Sequence, residues 1–181
     1  MAHFSLCLIQ ERVIDGDTVR VTHCPTRFSC PEIDPSTRKI SDKTLSLRIY
    51  GVDCPELQKR KSDPASQPFA RNAKELTSNL VLNQEVEIKL FRKDQYGRAV
   101  AKIENDRRQD VSIELLQNGL AFVYTGKGAE YDGNRDLLEE YQRQAEIAKR
   151  GAWSLGEDLV KPAEFKRQQR LNKQDPHRIE L

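Results

Sequence analysis

FSLCLIQERVIDGDTVRV, residues 4–21, sets two apolar-rich runs on either side of Asp15-Gly16. That pattern predicts a β-hairpin, because a tight turn needs residues that tolerate positive φ. Residues 4–14 then form one strand, and the run from Asp17 to Val21 lies beside it. Working outward, LSLRIYGV at 45–52 reads as a third strand, and EVEIKLFR at 85–92 alternates so that Val86, Ile88 and Leu90 share a face. Between them Phe69, Ala73, Leu76 and Leu80 recur at helical spacing, and Asn83 breaks the helix. Asp94-Gln95-Tyr96-Gly97 is a turn, and Arg98 opens the strand AVAKI. Asp110 has the place of an N-cap for a helix carrying Ile113, Leu115 and Leu116, with Gly119 as its stop. LAFVY at 120–124 is short and strand-like. Residues 132–150 form a charged amphipathic helix carrying Leu137, Leu138, Tyr141, Ala145 and Ala148, of which Leu137, Tyr141 and Ala145 are expected in the core. Gly151 ends it, and Trp153 is expected to be buried or to dock that helix. The order predicts an α+β protein in which short antiparallel strands close into a five-stranded barrel with about three α-helices, since closure removes exposed edges.

A chain of 181 residues suits one domain with a real core. Apolar residues make up 37% and charged residues 32%, a wet composition, yet the amphipathic elements argue against global disorder. Net charge is only +2, so a polyanionic partner has to be argued from local charge. No apolar run is long enough to span a membrane. Met1-Ala2-His3 lacks the basic-then-apolar pattern of a leader. Either the protein is made without one, which favours the cytoplasm slightly, or a leader has been removed from a secreted form. Cys7, Cys24, Cys30 and Cys54 are too few and too scattered for a disulfide scaffold. His23, Cys24 and Cys30 lack a fourth zinc ligand at sensible spacing. A Cys24–Cys30 disulfide stays open at this point. Residues 23–44, punctuated by Pro25, Pro31 and Pro35, read as a long irregular insertion that shapes substrate entry, serves a partner or only connects. Residues 155–181 are a polar tail with a helix near 162–172, and Lys166, Arg167, Arg170 and Lys173 in it are candidate phosphate contacts or a loosely held terminus.

Three short segments concentrate acids and arginines: Ile14-Asp15-Gly16-Asp17-Thr18, the run from Arg48 to Glu56, and Asp94-Gln95-Tyr96-Gly97-Arg98. Singly, each has an ordinary reading as a turn, a solvated strand end or a surface ion pair. By strand parity, however, Asp17 goes with Val19 and Val21, and Asp53 goes with Ile49. Both carboxylates then lean toward the core-facing side, where a carboxylate is costly unless a cation or donors satisfy it. Two such groups with a backbone carbonyl and waters suit a hard cation such as Ca²⁺ or Mg²⁺.

In order and interval, these segments resemble the staphylococcal nuclease (thermonuclease-like) family, over roughly residues 5–154. The resemblance implies an OB barrel with three helices as a domain at 1–154, followed by the tail. It implies a Ca²⁺ site with Asp17 and Asp53 as side-chain ligands and Cys54, where the family often has Thr, giving a backbone carbonyl. Glu56 would activate the attacking water, and Arg48 and Arg98 would grip the phosphate. Tyr96 and Tyr124 would sit near the nucleotide, with Lys59, Arg60 and Lys61 steering phosphate. The chemistry fits these types: guanidinium forks match phosphate oxygens, a metal neutralises charge, and a carboxylate takes a proton from water. The expected activity is Ca²⁺-dependent hydrolysis of single-stranded or flexible DNA and RNA by a monomer, at the P–O5′ bond, leaving 3′-phosphate ends. The rival readings are a nucleic-acid- or protein-binding scaffold of the same fold, and a phosphatase or small-molecule esterase using the same acids. The presence of Asp17, Arg48, Asp53, Glu56 and Arg98 together argues against the scaffold.

Overall fold

The computed structural model describes residues 3–8, 12–21, 44–61 and 63–174. Almost all of the 23–44 insertion, with His23, Cys24 and Cys30, lies outside them. In chain order the described elements are β1 (His3–Leu8), β2 (Arg12–Asp15), β3 (Thr18–Val21), β4 (Leu45–Ile49) and β5 (Val52–Asp53), then α1 (Ala70–Val81), β6 (Glu85–Lys93) and β7 (Ala99–Asn105). After these come α2 (Val111–Gln117), β8 (Phe122–Val123), α3 (Arg135–Ile147), a 3-10 segment (Gly151–Asp158) and α4 (Pro162–Gln174).

Six strands form one sheet in the order β1-β6-β7-β4-β3-β2, and β5 pairs with β8 apart from it. The β4–β7 pair is parallel, Leu47 facing Ala99 and Ile49 facing Ala101, and the other described ladders are antiparallel. β1 and β2 sit at opposite edges although only residues 9–11 separate them in the chain. Four residue steps reach at most about 14 Å, whereas six strands laid flat would put their outer members about 24 Å apart. The sheet therefore curls. Among the described residues no ladder joins β1 to β2, so the expected five-stranded barrel is represented by a curled six-stranded sheet without that last seam.

Two readings of single strands change. Residues 4–14 are split into β1 and β2, which belong to opposite edges. LSLRIYGV ends as a strand at Ile49, because Gly51 takes a left-handed φ of +68° and a Cβ there would stand 2.6 Å from Leu138 Cδ1. The chain turns at Tyr50-Gly51, and Asp53 emerges on β5.

The core sits on the inner face of the sheet: Val19, Leu47, Ile49, Val86, Ile88, Ala101 and Ile103 are buried with Ala73 and Val81 of α1 and Leu115 and Leu116 of α2. Asp110 caps α2 as expected, its Oδ1 accepting from the Ser112 amide at 2.8 Å. Its Oδ2 accepts from the Tyr50 hydroxyl at 2.7 Å, and the Ser112 hydroxyl donates to the Tyr50 carbonyl at 2.8 Å, which fixes the corner after β4. On α3 the inward stripe is Leu138 and Ala145, buried, with Tyr141 half-buried between them, at helical spacing. Leu137, expected inside, is 42% exposed, because one residue along a helix turns the side chain about 100° away. Trp153 is buried edge-on to Phe122, ring centres 5.1 Å apart.

Candidate functional site

The site begins at the hairpin loop. Asp15 pairs with Thr18 across the hairpin, so the loop residues are Gly16 and Asp17. The expected reason for glycine is corrected here: Gly16 is not at positive φ. A Cβ at this position would stand 2.7 Å from both Ala73 Cβ and Cys54 Sγ, so glycine is required by the close approach of α1 and the chain after β5. The Thr77 hydroxyl of α1 donates to the Gly16 carbonyl at 2.7 Å and clamps the loop. Asp17 is thereby presented, buried, to the end of β4.

There Arg48 spans two acids. Its Nη1 donates to Asp17 Oδ2 at 3.1 Å, and its Nη2 donates to Asp53 Oδ1 at 2.9 Å and to the Val52 carbonyl at 3.1 Å. The Cys54 amide also donates to Asp17 Oδ2, at 3.1 Å. The Thr18 hydroxyl donates to Asp17 Oδ1 at 3.0 Å and accepts from Arg98 Nη1 at 3.2 Å, so the second arginine reaches the same acid through one hydroxyl. Arg98 is aimed by Asp94, whose Oδ2 accepts from Arg98 Nε at 2.7 Å while its Oδ1 accepts from the amides of Tyr96 and Arg98. Glu56 is set by Gln67, whose side-chain oxygen accepts the Glu56 amide at 2.8 Å and whose own amide donates to the Glu56 carbonyl at 2.9 Å. Gln67 Nε2 in turn donates to the Val160 carbonyl at 2.9 Å, tying this loop to the approach of α4. From α4, Lys166 Nζ lies 2.9 Å from Asp53 Oδ1, 3.1 Å from Asp53 Oδ2 and 2.9 Å from Glu56 Oε1.

Burial works against the charge on Asp17, but Arg48 and the Cys54 amide outweigh it and hold this carboxyl below its ordinary value. Burial likewise opposes the Lys166 charge, and Asp53 and Glu56 carry it above its ordinary value. Burial pushes Asp15 up to about 6, with Asp17 adding to the effect and Lys59, 2.6 Å away, opposing it. Burial also drives the Cys54 thiol well above its ordinary value, which keeps the sulfur uncharged and unreactive.

Two cavities of about 520 Å³ each adjoin here, and Arg48, Tyr96, Arg98 and Lys166 line both. Asp17, Glu56 and Lys59 line one; Asp53 and Tyr124 line the other. Tyr96, at the tip of its turn, is 68% exposed, and the Arg48 guanidinium lies 5.3 Å from the centre of the Tyr124 ring. Arg60 and Lys61 are exposed and line neither cavity, so the basic run contributes one lysine to the site. Sequence reasoning missed Gln67 and gave Asp15 only a turn role. Asp94 stands in the third acid-and-arginine segment without a role of its own, and Lys166 is a candidate phosphate contact in the tail, which the fold instead returns to Asp53 from 113 residues away.

Residues 46–155 match the family model described as staphylococcal nuclease homologue. This chain belongs to that family. It is 36% identical over 165 residues to a protein of Meyerozyma guilliermondii named "Probable endonuclease LCL3", covering 86% of this chain and 72% of the relative. Proteins of the same name from Scheffersomyces stipitis and Clavispora lusitaniae are 37% and 39% identical over 166 residues, covering 87% of this chain and 70% of each relative. Within this staphylococcal nuclease homologue the family match stops before α4 begins at Pro162, so Lys166 lies beyond it.

Membership raises the question of a divalent cation. Among the described residues no group of three or more His, Cys, Asp and Glu side chains is arranged to hold a metal ion. The donor chemistry fits a hard cation all the same. Asp17 and Asp53 offer buried carboxylate oxygens, and Asp15, which lines the same cavity as Asp17, has its Oδ1 buried without a hydrogen-bond partner.

Proposed function

We propose that this chain is a Ca²⁺-dependent nuclease that hydrolyses phosphodiester bonds of DNA and RNA at the P–O5′ bond, leaving 3′-phosphate ends. The observation that carries the reading is the convergence of Asp17, Arg48, Asp53, Glu56 and Arg98 on two adjoining cavities that share both arginines. Asp17, Asp53 and the Cys54 carbonyl would hold the cation, which when bound neutralises charge on the phosphate and polarises its oxygens. Arg48 and Arg98 bind the scissile phosphate from two sides; with Asp94 fixing Arg98 and two acids fixing Arg48, little side-chain entropy is left to lose on binding. Glu56 faces the cavity as the group that takes a proton from the attacking water. Tyr96 and Tyr124 give stacking faces to flanking nucleotides, and Lys59 steers phosphate, with Arg60 and Lys61 adding only longer-range attraction. Contacts of this kind carry little base information, so sequence preference is slight and flexible or single strands are favoured. Residues 1–154 form the nuclease domain, and every group named comes from one chain, so a monomer suffices.

The test is cleavage of single-stranded DNA, RNA and duplex in Ca²⁺, Mg²⁺ or EDTA, with product ends mapped. Activity with Ca²⁺, its loss in EDTA and 3′-phosphate ends are expected. Glu56→Ala, Arg48→Ala and Arg98→Ala should each lower turnover by about two orders of magnitude or more. Near-normal turnover in all three purified variants, or inertness toward every nucleic acid with Ca²⁺ present, rejects the proposal.

A further inference from the structure

Three contacts of one ammonium set up a competition. Lys166 Nζ approaches both oxygens of Asp53 and Oε1 of Glu56 within 3.1 Å, matching its three N–H groups to three carboxylate oxygens. Arg48 takes a further site on Asp53 Oδ1. A carboxylate has about four acceptor sites, so Asp53 has about one left. A dication drawn to that carboxylate meets a fixed positive charge on the same two oxygens, and like charges at such range repel strongly away from bulk water. The lysine stands beyond the part of the chain that the family match covers. It is held near the acids from the side: Pro162 is buried, and Gln67 bolts Val160 to the loop of Glu56. A swing of the side chain therefore suffices to vacate the oxygens without undocking α4.

We infer that Lys166, anchored on Glu56, is a tethered cation that competes with the divalent ion for Asp53, so that this residue sets the metal affinity of the site. Calcium binding and release of the Lys166 ammonium are then one coupled event. The inference rests on the Ca²⁺-site reading above, and it assigns to α4 a control on metal affinity.

Calorimetric titration of calcium alone into the full chain tests it. Lys166→Met, which keeps length and removes charge, should bind calcium about fivefold or more tighter than wild type, and Lys166→Arg, which keeps the competing charge, should bind like wild type. Coupling is reciprocal, so saturating calcium should increase amine-specific labelling of Lys166 in the unmodified protein. Labelling of Lys161, whose ammonium lies over the Trp153 ring at 5.6 Å, should stay constant. The labelling arm holds even where a substitution fails to fold. Equal calcium affinity in wild type and Lys166→Met, or Lys166 labelling unmoved by bound calcium, overturns the inference and leaves the nuclease reading standing. Absence of calcium binding in every variant overturns both.

Discussion

Gly16 is the residue at which one methyl group reaches furthest. Its missing side chain is the space in which Ala73 and Cys54 meet the hairpin loop, and the next residue is Asp17. Gly16→Ala must push α1 or the chain after β5 away, an overpacking cost of about 1–3 kcal/mol. It also shifts the loop that carries Asp17. The expected outcome is a lower denaturation midpoint by chemical unfolding together with a fall in cleavage rate; unchanged stability would mean the packing yields freely. The Asp15-Gly16 pair was legible as a turn from sequence, but its cause was not, since the clash partner Ala73 lies on a helix far along the chain. Strand parity pointed to Asp17 and Asp53 as core-facing acids, and both are buried, but not by that route: Asp17 is a loop residue of the hairpin. Asp53 reaches its place through the Tyr50-Gly51 turn and the pairing of β5 with β8, not by continuing β4. Lys166 was opaque for the same reason: a lysine on a polar helix carries no local mark of which acid the fold will bring to it.

Among the elements, α2 shows how a cap is also a charge problem. Asp110 satisfies the first turn and receives the Tyr50 hydroxyl, both features of a good acceptor, and the capping role was readable from its position ahead of Val111-Ser112-Ile113. Its burial was not readable. Burial raises the Asp110 carboxyl above its ordinary value in spite of the opposing Tyr50 hydroxyl, the nearby Lys102 ammonium and two amides. The sign follows from proton linkage. The folded state binds the proton more tightly than the unfolded one, so the stability from this group is fully present below the ordinary aspartate value and is lost as pH rises through the raised one. Asp110→Asn keeps an oxygen for the Ser112 amide and cannot ionise. The difference in melting temperature, variant minus wild type, should therefore become more favourable to the variant between pH 4 and pH 8. A difference that is flat or moves the other way would show that the buried carboxylate is better compensated than its surroundings indicate.

At the scale of the whole molecule, the helices and most strands were legible because their periods are written locally in apolar spacing, whereas the breaks that split 4–14 and 45–52 were not. The curl of the sheet and the return of α4 were not, because they follow from which edges meet. A net charge of +2 had likewise announced no polyanion partner. The fold resolves this by sorting. Arg92, Lys127, Arg167 and Arg170 are exposed, line one cavity beside Arg48 and Arg98, and form no ion pair among the described residues. On α4, Arg167 and Arg170 are three residues apart and so share a face; under the proposed function that face would be a second wall for a phosphate backbone. Such contacts act by releasing counterions, with a slope of about 0.7 in log affinity against log salt for each phosphate neutralised on a single strand. The double variant Arg167→Ala/Arg170→Ala should therefore bind single-stranded DNA more weakly in EDTA, where cleavage is suppressed. Its salt slope should be shallower by about 1.4, and the loss should be equal across sequences, since phosphates carry no base identity. Fluorescence anisotropy from low to moderate salt measures all three. A slope identical to that of wild type would place α4 outside the path of the strand and leave the cavity's remaining cations to hold it.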